Sequence, residues 1–151
     1  LLGNVTMQGG GATLRLRAGT YNINSFSMAG NTQLIIETGP VVFNIAGQGV
    51  TTPIDFTGGS TANESYLPTD FKILYGGTGA IKVAGNTAMA AMLYAPNSDV
   101  TLTGGSHFYG SIVGATVTDT GGTAFHFDRS LLNDFFVVGN HMLSAFSWKK
   151  N

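Results

Sequence analysis

A chain of 151 residues is long enough for one substantial core and short for two. Seven basic against eight acidic side chains give a formal net charge of −1, so there is no electrostatic footprint for nucleic acid or for an anionic membrane surface. Cysteine is absent, which excludes disulfides, thiolate metal sites and cysteine nucleophiles.

Only 10% of the residues are charged, against roughly a quarter in an average soluble domain. Thr, Ser, Asn and the 22 glycines must therefore solvate the surface, a mixture that suits a β chain turning often and does not suit helices. No stretch approaches the roughly 20 apolar residues of a membrane span. The chain opens on Leu1 rather than Met, which reads as a processed product or a fragment, so that a membrane link would run only through a helix or anchor lying upstream.

The first element is Val5-Thr6-Met7, followed by a glycine corner at Gly9-Gly10-Gly11 and a second strand at Thr13 to Arg17. The same order returns at Phe26-Ser27-Met28 with Gly30-Asn31-Thr32, then at Ile54-Asp55-Phe56 with Gly58-Gly59-Ser60, and at Ile81-Lys82-Val83 with Gly85-Asn86-Thr87. Two further copies are Val100-Thr101-Leu102 with Gly104-Gly105-Ser106 and Val117-Thr118-Asp119 with Gly121-Gly122-Thr123. Successive copies start 21, 28, 27, 19 and 17 residues apart, which is solenoid spacing with insertions in the middle. Alternation of period two within each copy marks a strand with one buried face, and Gly-Gly or Gly-Asn supplies the positive φ of a sharp corner.

Second strands follow at Leu34 to Glu37, Met89 to Tyr94, Phe108 to Val113 and Phe125 to Phe127. Placing the last coils in register stacks Met89, Phe108 and Phe125 inside and Tyr109 on His126 outside. The pattern predicts an all-β fold, a right-handed parallel β-helix of about six coils. The alternative is an antiparallel sandwich whose Gly-Gly pairs close hairpins, but sandwich strands have no reason to resemble one another. One domain covers residues 1–151, with coils over 1–127 and a capping segment over 128–151. The segments Gly47 to Pro53 and Thr61 to Asp70 are the loops where functional elaboration is expected.

The run Tyr94-Ala95-Pro96-Asn97, then Phe108-Tyr109-Gly110-Ser111-Ile112-Val113-Gly114, Phe125-His126-Phe127-Asp128 and the terminal Ser147-Trp148-Lys149 resembles the C-terminal β-helical domain of bacterial PilX-type pilus-assembly and related surface proteins. The resemblance covers roughly residues 71–151. It implies a cell-envelope or pilus-associated protein with a hydrophobic helix upstream and no catalytic residues. The first half, with Gly19-Thr20-Tyr21 and Val41-Val42-Phe43-Asn44-Ile45, is also similar to ice-binding β-solenoids.

Candidate sites are few. His126 and Asp128, two apart on one face, could serve as an acid and base pair or as two metal ligands, but a structural role is the simpler reading, with Asp128 capping the next turn and pairing with Arg129. His107 and His141 lack a short-range partner spacing, so no zinc site is expected. Calcium would have to use Asp55, Asp70, Asp99, Asp119 or Asp128, which form no dense loop. No cofactor is expected. Arg15 and Arg17 lack the neighbouring carboxylate pair of a polysaccharide-cleaving enzyme.

Thr101 and Thr103 align with Thr118 and Thr120 as a surface rank of the kind that matches ice, and Tyr109 with the other aromatics offers a glycan-binding or protein-binding surface. The expected function is a non-enzymatic structural or adhesive domain on the outside of a bacterial cell, associated with a pilus or filament. Its partners would be further copies of itself, pilus or filament subunits, or a surface glycan, with no nucleic acid. An ice- or glycan-binding module and a polysaccharide-cleaving β-helix enzyme are the alternatives.

Overall fold

The computed structural model describes residues 3–129 and residue 131. Thirteen strands and one short 3-10 turn, Pro68–Asp70, follow one another, and every strand pairing is parallel. The chain is a parallel β-solenoid of about six turns. The capping segment expected over 128–151 lies outside the described residues apart from Asp128, Arg129 and Leu131.

Three ladders form the walls. The first stacks β1 (Asn4–Met7), β4 (Ser25–Met28), β7 (Ile54–Phe56) and β10 (Ile81–Ala84), then the last part of β11 (Ala88–Thr103) and of β12 (His107–Thr120). The second stacks β2 (Thr13–Leu16), β5 (Gln33–Ile36) and β8 (Thr61–Ala62), then the start of β11 and of β12, then β13 (Ala124–His126). The third stacks β3 (Gly19–Ile23), β6 (Val41–Ile45) and β9 (Phe71–Tyr75) against the middle of β11 and of β12. The sequence pattern anticipates two of these walls. The third is hidden because β11 and β12 bend from wall to wall without a Gly-Gly mark.

Each repeat places its apolar residues in columns that run through the coils. Val5, Phe26, Ile54, Ile81 and Val100 form one column, and Met7, Met28, Phe56, Val83 and Leu102 its neighbour. From Phe26 onward all of these are buried. Phe26 and Phe43 meet across two walls with centroids 5.0 Å apart, and Phe43 and Phe71 meet edge to face on the third wall at the same distance. The interior is thus a continuous apolar rod.

From the second coil onward the corner after the first wall uses two left-handed residues in succession, as at Gly30–Asn31 (φ 72 and 58) and Gly85–Asn86 (φ 71 and 59), while the first coil separates its two, Gly9 and Gly11, by Gly10. Asn31 Oδ1 lies 2.5 Å from where a Cβ on Gly59 would stand, and Asn86 Oδ1 lies 2.8 Å from the same point on Gly105. A side chain in the coil that follows an asparagine corner would have to turn that amide aside. The small residue after each corner points inward. Thr32, Ser60, Thr87 and Ser106 are fully buried, and Thr87 and Ser106 each donate to a carbonyl three residues back at 2.7 Å.

Candidate functional site

The second wall carries the features that sequence reasoning singled out near its end. Met89, Phe108 and Phe125 share one inward column, and Tyr109 pairs with His126 on the outside. Phe108 and Phe125 stack at 5.5 Å with planes 2° apart, and Tyr109 and His126 at 4.3 Å with planes 9° apart. Phe125 and Phe127 are nevertheless about half exposed, at 46% and 52%.

His107, on the same strand as Tyr109, turns its ring parallel to that of His126 at 5.9 Å. Its partner was invisible to short-range spacing because the two lie 19 residues apart, one full coil. The absence of a short-range partner spacing for His107 stands, its neighbour coming from the next coil, and the pair supplies two of the three or four ligands a zinc site uses. Among the described residues no group of three His, Asp or Glu side chains is placed to hold an ion, and the five aspartates considered for calcium are not brought together. Asp128 precedes a short helical turn in which the Leu131 N–H donates to the Asp128 carbonyl at 3.1 Å, and Arg129 is exposed beside it.

The loop after β8 crosses the outside of this wall and supplies the remaining ring. Asn63 is buried at φ 61, and its amide donates to Leu67 O at 2.8 Å and to Ala90 O at 3.0 Å, while its oxygen accepts from Ser65 Oγ at 2.7 Å. One side chain thereby ties the loop both to itself and to the next coil. The Leu67 N–H donates to Ser65 Oγ at 3.2 Å and closes the turn. Tyr66 is held at φ 56, a conformation costly for a bulky side chain, with its ring half exposed and 4.8 Å from Tyr109, edge to face. Tyr66, Tyr109, His126 and His107 form one contiguous patch, with exposed Leu67 on the same loop. The loop was legible as an insertion between repeats. What could not be read was Asn63 as its anchor, because the carbonyl it binds on Ala90 is 27 residues away.

The first wall bears the polar ranks. Thr101 pairs with Thr118 and Thr103 with Thr120, as expected from the sequence. The outward rank that runs Thr6, Ser27, Asp55, Lys82, Thr101, Thr118 is interrupted by two charges in the middle. One oxygen of Asp55 is buried with no hydrogen-bond partner. Burial pushes its carboxyl above the ordinary value of 3.8, and the positive charge of Lys82 pulls it back in part.

A folded-state pKa above the unfolded one means that the folded chain holds the proton longer. Stability is then fully present below the unfolded value and falls as pH rises through the interval between the two. Asp55→Asn is therefore expected to melt above the parent chain at neutral pH and level with it below about pH 3. Melting curves at both pH values check this, and an equal gain at both would show that ionisation is not the cause.

A shallow cleft of about 650 Å³ opens between residues 46–51 and 75–80. Its one titratable lining side chain is Tyr75, which is buried and whose hydroxyl accepts from the Gly79 N–H at 2.9 Å. Arg15 and Arg17, considered above for polysaccharide cleavage, share the single carboxylate of Glu37 at 4.0 and 3.0 Å. Among the described residues no helix is long and apolar enough to cross a membrane.

A family model matches residues 3–134, which takes in all three walls and the ring patch. The chain belongs to DUF7305, a domain of unknown function. No curated protein and no solved structure matches it. For DUF7305 the ring patch, with rings contributed by a loop and two successive coils, is the candidate binding surface of this chain.

Proposed function

We propose that this DUF7305 domain is a non-enzymatic adhesive module, displayed on the outside of a bacterial cell in association with a pilus, that holds a surface glycan or protein on its second wall. The observation that carries the reading is Tyr66: a half-exposed ring kept at a strained φ by a hydrogen-bonded loop and braced against Tyr109. Such strain persists only where the surroundings over-determine it, and rigid, partly exposed aromatics are the usual anchors of a binding surface. The PilX-type resemblance of the second half supports the cell-surface setting.

Within that setting a tip or rigid spacer fits better than a subunit stacked end to end. Asp119 occupies the inward column above Leu102 on the last described turn of the first wall, and it is exposed there. A copy continuing the ladder would bury that carboxylate against its own apolar column, and inward charges are a recognised way of blunting an edge. The ice-binding alternative rests on the two threonine coils alone, since Asp55 and Lys82 break the rank. The polysaccharide-cleaving alternative would need a carboxylate pair beside Arg15 and Arg17, where Glu37 stands by itself.

The test is a glycan array and a cell-adhesion assay with the parent chain, Tyr66→Ala and Tyr109→Ala. Each variant is expected to lose roughly tenfold or more in binding, with Tyr66→Ala keeping the parent's melting temperature because its ring is half exposed. Binding that survives both substitutions, or release of product from a polysaccharide, would reject the reading.

A further inference from the structure

His107 and His126 lie on successive coils of the second wall, and both side chains are exposed. In the ladder His107 stands opposite Ala124 and Tyr109 opposite His126, so the imidazoles are diagonal neighbours on the outer face. Their centroids are 5.9 Å apart and their planes 9° from parallel. Tyr109 flanks both rings, at 6.5 Å from His107 and 4.3 Å from His126. The ladder partners of His107 are Ala88 and Ala124, whose methyl groups leave the space around it open.

A divalent transition ion binds an imidazole nitrogen at ~2.0–2.1 Å in the plane of the ring, so one ion held by two imidazoles at a cis angle sets their centroids about 4.5–5.2 Å apart. The observed 5.9 Å is slightly longer, and the rings are stacked rather than aimed at one point. Chelation therefore asks both rings to turn out of the stack toward a common point and to close by under about 1.5 Å. The outer torsion of histidine is broad, and exposed side chains turn on fast timescales. The backbone ladder has already set the spacing, and Tyr109 limits how far either ring can swing away.

The geometry points to a divalent transition-metal site of the Cu²⁺, Ni²⁺ and Zn²⁺ class, held by His107 and His126 across two coils. Water would fill the remaining positions, leaving them open to a donor on a bound partner. Neutral imidazole suits these ions, whereas Ca²⁺ and Mg²⁺ require oxygen donors, and the general affinity order places Cu²⁺ first. The site goes beyond the adhesive reading and does not depend on it, since it concerns uptake of the ion by this chain alone.

Calorimetric titration of the full chain, free of any polyhistidine tag, with Cu²⁺ and then Zn²⁺ at neutral pH tests the site, together with the electron paramagnetic resonance spectrum of the copper form. The expected result is one ion per chain, tighter binding of Cu²⁺ than of Zn²⁺, and copper coupled to two nitrogens. His107→Asn and His126→Asn should each weaken Cu²⁺ binding roughly tenfold or more, while His141→Ala keeps the parent isotherm. Because protons compete for the metal-binding nitrogens, affinity should fall as pH is lowered. No uptake, uptake insensitive to both asparagine variants, loss on His141→Ala, or coupling to a single nitrogen would each overturn the assignment. The nitrogen count on the parent chain decides the matter even if a variant folds poorly.

Discussion

Replacing Gly110 by alanine is expected to cost at least about 4 kcal/mol of stability, enough to unfold many domains of this size. Gly110 sits where the fifth coil bends from the second wall to the third, at φ 132. A Cβ there would overlap the carbonyl oxygen of Ala91 in the coil below and approach Pro68 Cβ to 2.9 Å. Neither neighbour can give way, since Ala91 is ladder backbone and Pro68 is buried in the loop that carries Tyr66. The comparison that isolates the clash is Gly49→Ala. Gly49 also has positive φ, at 69, but nothing lies within 4 Å of its would-be Cβ, so only the conformational cost of about 1–2 kcal/mol applies. Denaturant melts of both variants check this, and equal losses would mean that the coils do not approach as described.

The second large effect is expected at Asn63. Asn63→Asp keeps the shape but replaces the amide that donates to Leu67 O and Ala90 O by an acceptor, leaving two carbonyls facing a buried carboxylate. The expected loss at neutral pH is about 3–5 kcal/mol, the scale of an uncompensated buried charge. Burial beside two carbonyl dipoles raises the carboxyl pKa of the variant, so the folded form retains the proton over a wider range. Stability should therefore recover as pH is lowered, because the protonated acid regains one donor. Melting the variant at neutral and acid pH tests this, and a loss equal at both would show that the size of the side chain matters rather than its charge. Binding through Tyr66 should weaken in parallel, since the loop that holds the ring depends on this one amide.

Much of the fold could be read from local pattern, and the reason is physical. The corner after the first wall needs two left-handed residues, so Gly-Gly or Gly-Asn recurs wherever a coil turns there, and the alternation before it reports a half-buried strand. Register followed from aligning those corners, which is why Tyr109 on His126 and Thr101 beside Thr118 could be paired in advance. The remaining corners carry no such mark. Between Ala88 and Thr103 the chain traverses three walls as one long strand; its first bend lies at Ala90 and Ala91, where Asn63 of the loop bonds the Ala90 carbonyl, and its second at the register break between Ala95 and Asp99. The ring patch was half legible for the same reason. Tyr109 and His126 lie at matching places in the repeat, whereas the link from Asn63 to Ala90 and the pairing of His107 with His126 exist only once the coil has closed.

The alternation of asparagine and glycine at the first corner also bears on how such a chain can grow. The amide oxygens of Asn31 and Asn86 stand where a Cβ on Gly59 or Gly105 would lie, but each is the tip of an exposed side chain that can turn. On the third wall stacked asparagines already bond to one another, Asn44 Nδ2 donating to Asn22 Oδ1 at 2.8 Å. Duplicating a glycine coil would leave the corner as it stands, whereas duplicating an asparagine coil would ask the amides to turn into a ladder of the third-wall kind. Longer relatives should therefore carry at this corner either glycine or asparagines stacked in succession.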